Sequence, residues 1–96
     1  MTNTEFQNKL NTIFEKYPFI AASKKKTVNE LCYVLRMNDS TTDYCISIVY
    51  DSTRTICVPS VKECFITVKD LAMHVKEVEY DGEEFGVVCL MVYVED

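Results

Sequence analysis

Glycine and proline are scarce, two of each in 96 residues, and histidine occurs once. So little Gly and Pro excludes a disordered or low-complexity chain. The glycines at 82 and 86 are too few for a phosphate-cradling loop. A single histidine leaves only His74 for the proton-transfer work that side chain most often does. The longest strongly apolar run, Val87 to Val94, falls far short of the roughly 20 residues a membrane-crossing helix needs. Met1 to Lys9 is polar and does not read as a secretory leader.

The five cysteines, at 32, 45, 57, 64 and 89, are odd in number and none forms the closely spaced knuckle of a zinc site. Each sits in an apolar or alternating stretch, which suits small buried hydrophobes. The expectation is reduced thiols, a cytoplasmic setting, no metal and no cofactor. A Cys–His enzyme would need His74 beside Cys64 or Cys89, and inert buried thiols argue against it. No residue is assigned a catalytic role, and the chain is read as a non-enzyme.

The chain has 48% hydrophobic and 26% charged residues, ordinary values for a globular protein. It reads as one compact domain over 1–96, long enough to bury roughly 65% of its unfolded surface. Phe6, Leu10, Ile13, Phe14 and Tyr17 trace one face of an N-terminal helix that Pro18 stops. Two capping boxes compete for its start, from Thr2 and from Thr4. Residues 19–27 form a connector, with Phe19 and Ile20 expected against the core. Leu31, Tyr33, Leu35 and Met37 alternate, which predicts a strand over Asn29 to Met37. Strands follow at about Tyr44 to Tyr50 and Arg54 to Val58, joined by short turns and so antiparallel. Lys62 to Thr67 reads as another short strand.

Thr67-Val68-Lys69-Asp70 resembles a helix start, and Leu71, Ala72, Val75 and Val78 share a helical face, giving a second helix near 68–78. A strand over 72–80 is the rival reading. Asp81 to Gly86 is a loop, and Val87 to Val94 a central strand buried on both faces or nearly so. The fold class expected is α+β: an antiparallel sheet of four to five strands, with the two helices packed on one face.

Charge is uneven. Residues 1–61 carry seven basic and six acidic groups, +1; residues 62–96 carry three lysines and nine acids, −6. The acids crowd at Glu77, Glu79, Asp81, Glu83 and Glu84, with Phe85 at the end of the run. Such a surface repels nucleic-acid backbones and attracts a basic protein surface. These six residues are the candidate partner-binding set, with Phe85 as the apolar anchor. The leading expectation is a small acidic binding protein, an inhibitor that docks on a basic or nucleic-acid-binding site of a target protein. In general plan this resembles the stand-alone acidic inhibitory proteins that phages and other mobile elements encode. The alternative is an assembly module that forms a homodimer through its outer sheet face, where Cys32, Val34, Cys45, Val49 and Cys57 would gather. Neither reading involves direct nucleic-acid or membrane contact.

Overall fold

A computed structural model describes residues 1–38, 41–51, 53–62 and 66–96. Helix α1 spans Asn3–Glu15 and buries Phe6, Leu10 and Ile13. Of the two rival caps the outer one forms: Glu5 N–H donates to Thr2 Oγ1 at 3.1 Å. The helix ends ahead of Pro18. That proline then opens a one-turn helix, α2, Pro18–Ala21, where its missing N–H costs nothing. Phe19 does not tuck inward; it is 96% exposed.

Val28–Asn38 is helix α3, where a strand was expected. Its start is a reciprocal capping box. Glu30 N–H donates to Thr27 Oγ1 (3.2 Å), and Thr27 N–H donates to Glu30 Oε1 (3.0 Å). Val28, Leu31, Cys32 and Leu35 are buried at i, i+3, i+4 and i+7, while Tyr33 and Met37 point outward. The alternation that suggested a strand joined two buried residues to two exposed ones.

Strand β1 spans Asp43–Asp51 and β2 spans Arg54–Val58, the antiparallel hairpin read from sequence. Thr67 caps a helix as expected, but that helix, α4, covers only Val68–Leu71. The expected helix over 68–78 therefore yields after one turn to β3, His74–Glu84, because Val75, Val78 and Tyr80 find partners in an adjoining strand. Of the short strand expected at 62–67, residues 63–65 lie outside the described set, and Ile66 and Thr67 are not strand. The loop expected at 81–86 is mostly strand as well. β3 runs to Glu84 and turns through Phe85 and Gly86 into β4, Val87–Glu95.

The architecture is α+β with a four-stranded sheet in the order β2-β1-β4-β3. The sheet is mixed. Both hairpins are antiparallel, but the central pair β1/β4 is parallel, from Asp43 opposite Val87 to Val49 opposite Tyr93. Helices α1 and α3 share one core with one face of this sheet: Phe6, Leu10, Leu31 and Leu35 meet Tyr44, Ile46, Ile48, Leu90 and Val92. Fully burying a side chain of this size stabilises by about 1.5–3 kcal/mol, so this layer holds the fold together.

Candidate functional site

Burial alternates strictly along β4. Val88, Leu90, Val92 and Val94 are buried under the helices, whereas Val87, Cys89, Met91 and Tyr93 are half-buried on the opposite face. The strand is thus central, as expected, but packed on one side only. Register extends the open face across the sheet to Cys45, Ser47 and Val49 of β1 and to Thr55 and Cys57 of β2. Of the outer-face set named from sequence, Cys45, Val49 and Cys57 lie here. Cys32 and Val34 do not, because both are buried in α3.

The acidic run lies along edge strand β3. Glu77 stands opposite Tyr93, Glu79 opposite Met91 and Glu84 opposite Val87, which places these carboxylates on the open face. Asp81 joins them: Glu79 first, then burial, Glu77 and Asp81, push the Tyr93 phenol above its ordinary value. Glu83 pairs with buried Val88 and falls on the helix side, beside Phe6, Lys9 and Tyr80. Gly82, at φ +97°, sits in the irregularity between Tyr80 and Glu83 that reverses the facing of the later residues.

None of the five carboxylates forms an ion pair among the described residues, where the pairs seen are Lys25–Glu95 and Arg54–Asp70. Alternate positions on a strand are about 7 Å apart, little different from their spacing in an unfolded chain. Their mutual repulsion therefore opposes folding only weakly, and the row persists without compensation.

From His74 to Tyr80 the backbone edge of this strand is covered. Tyr80 N–H donates to Asn3 Oδ1 (3.0 Å), Gln7 Nε2 donates to the Val78 carbonyl, and Val75 N–H donates to the Lys26 carbonyl (2.7 Å). α1 and the segment before α3 thus occupy groups that would otherwise invite strand addition. Along that stretch β3 offers side chains rather than main chain.

Phe85 is 96% exposed and adopts φ +52°, followed by Gly86 at φ +77°. Two successive positive φ values make the twisted two-residue hairpin turn that normally selects Asn-Gly. A bulky residue at positive φ is strained, and outliers of this kind concentrate at functional positions. The tip is an exposed ring at the end of the carboxylate row.

Two other groups received attention from sequence. His74 begins β3 opposite Glu95, its Nδ1 buried without a hydrogen-bond partner among the described residues. Cys89 lies six residues along β4 from Glu95, about 20 Å away, so the two do not meet. Cys64 lies outside the described residues. Asp70, buried in α4, was read from sequence only as part of the helix start at Thr67. It accepts from the Tyr50 hydroxyl and from Thr67 Oγ1 (2.7 Å), and Arg54 lies 3.9 Å away, stacked 4.3 Å over the Tyr50 ring. This cluster ties α4 to the β1/β2 hairpin.

Tyr93 and Met91 were also missed, because a near-continuous apolar run hides which residues face outward. Comparison with protein families, with curated proteins and with solved structures finds no match to this chain.

Proposed function

We propose that this chain is a small acidic protein that binds a basic surface on a partner protein, acting as an inhibitor that occupies a basic or nucleic-acid-binding site. The observation that carries the reading is the row Glu77, Glu79, Asp81 and Glu84, aligned on an open sheet face and without an ion pair among the described residues. Glu77, Glu79 and Asp81, about 7 Å apart along the strand, form a short line of negative charge comparable with successive phosphates of a nucleic-acid strand, and Glu84 extends it beyond the Gly82 irregularity. Met91 and Tyr93 supply apolar area beside the row, and Phe85 an anchor at its end. The charged line would speed encounter and set register; the rings would slow dissociation. Phages and other mobile elements encode inhibitors of this general plan.

The test is capture from a host extract on immobilised protein at low salt, followed by a salt gradient. A partner released by salt, and not held by a Glu77→Gln/Glu79→Gln/Glu84→Gln variant, supports the reading. Capture indifferent to both salt and neutralisation removes it.

A second reading, self-association, draws on the edge position of β2 and the uncovered Cys45, Val49 and Cys89. A two-fold dimer through the open face with its axis across the strands would bring two carboxylate rows together, whereas pairing along β2 keeps them apart. Light scattering across a dilution series checks it, and a monomer at micromolar concentration rules it out.

A further inference from the structure

Three thiols that are far apart in sequence become neighbours on the open face. Cys45 in β1 stands opposite Cys89 in β4, and Cys57 in β2 stands opposite Ser47, one step diagonally from Cys45. The Cys45 thiol lies close enough to both others for each to raise its ionisation. The row runs Cys57–Cys45–Cys89, from exposed to half-buried.

We propose that this row is a redox-modification site that reacts with low-molecular-weight disulfides, entering at Cys57 and ending as an intramolecular Cys45–Cys89 disulfide. Directly opposed residues in adjoining strands lie about 4.8 Å apart, inside the roughly 4.4–6.8 Å between Cα atoms that a disulfide spans. The diagonal Cys45–Cys57 pair lies near 7–8 Å, beyond that span, so this bond forms only as edge strand β2 shifts toward β1 and serves as a transient link. Burial first, then the neighbouring thiols, push the Cys45 thiol up to about 11. Exposed Cys57 therefore meets the oxidant before Cys45 does.

The steps balance. The Cys57 thiolate attacks the disulfide RSSR, forming Cys57–S–S–R and releasing one thiolate RS⁻. Cys45, giving up its proton, attacks Cys57 Sγ and expels the second RS⁻. Cys89, giving up its proton, attacks Cys45 Sγ and returns Cys57 as a thiolate. Two protein thiols lose two protons and two electrons, and RSSR becomes two RSH.

The site is independent of any partner. The experiment treats the folded protein with oxidised glutathione, blocks free thiols with an alkylating agent, and maps tryptic peptides. Lys and Arg positions place each of the five cysteines in its own peptide, so every linkage is readable. The expected product links the Cys45 and Cys89 peptides within one chain, with Cys57 alkylated. Cys57→Ser slows its formation without changing it. Cys45→Ser stops the reaction at a glutathione adduct on Cys57. Recovery of Cys45 and Cys89 as separately alkylated peptides overturns the proposal, as does a linkage only between chains. A Cys57–Cys89 bond forming readily in Cys45→Ser overturns the order of the row.

Discussion

Replacing Asp70 with alanine tests whether the cluster beneath the β1/β2 hairpin holds α4 in place. Asp70 is 6% exposed and accepts from two hydroxyls, those of Tyr50 and Thr67. Hydrogen bonds to a charged acceptor contribute about 1.5–3 kcal/mol each, and the stranded donors bear the loss. Thr67 is exposed and can turn to water, so the two bonds together come to about 3–4 kcal/mol. Arg54 is half-exposed at 3.9 Å and adds less than about 1 kcal/mol. In a domain of this size each kcal/mol moves Tm by about 4–8 °C, so Asp70→Ala should lower Tm by at least about 12 °C. Tyr50→Phe alone should cost about 1.5–3 kcal/mol. Because both changes break one bond, the double variant should cost less than the sum by about 1.5 kcal/mol. Thermal and urea denaturation followed by circular dichroism give all three values. A loss below about 1 kcal/mol for Asp70→Ala, or additivity of the pair, refutes the reasoning.

Thr27→Ala removes one half of the α3 capping box and should cost about 1 kcal/mol, read as a lower denaturation midpoint; an unchanged midpoint counts against the cap. Phe85→Asn relieves the positive-φ strain and should stabilise by about 1 kcal/mol, while weakening partner capture. Equal or lower stability would mean the turn is not strained. Glu79→Gln should bring the Tyr93 ionisation down toward its ordinary value, seen in tyrosinate absorbance, since Glu79 is the largest cause of its elevation. Cys45 rises from 9.0 to about 11 on folding. Its contribution is intact below pH 9 and is lost as pH climbs through about 11. Cys45→Ser should flatten that part of the stability–pH curve, and an identical curve would count against the shift.

α1 was legible because its cap, its stripe and its proline agree. The β1/β2 hairpin was legible because Tyr44, Ile46 and Ile48 alternate within a short, turn-bounded run. α3 was misread because Leu31 and Leu35 satisfy a period of two and a helical spacing alike; Thr27 and Glu30 held the deciding signal. β3 was split because Leu71, Val75 and Val78 fit a helix, although Glu77, Glu79 and Asp81 alternate with Val78 and Tyr80. The parallel pairing of β1 with β4 leaves no local trace, since it joins residues 44 positions apart, as in Cys45 and Cys89. The carboxylate row was visible as a run of acids. Its sidedness depended on the Gly82 irregularity, and Tyr93 and Met91 depended on knowing which face the helices take.

The position of β4 between β1 and β3 bears on how the chain is made. During synthesis β1 and β2 emerge well before the strand that lies against them, so Ile46 and Ile48 wait beside an unfilled slot. Long-range pairing of this kind slows folding and leaves sticky intermediates. A ribosome-bound chain stalled before residue 87 would therefore be a target for chaperones, and the fold closes only once β4 has emerged to pair with β1.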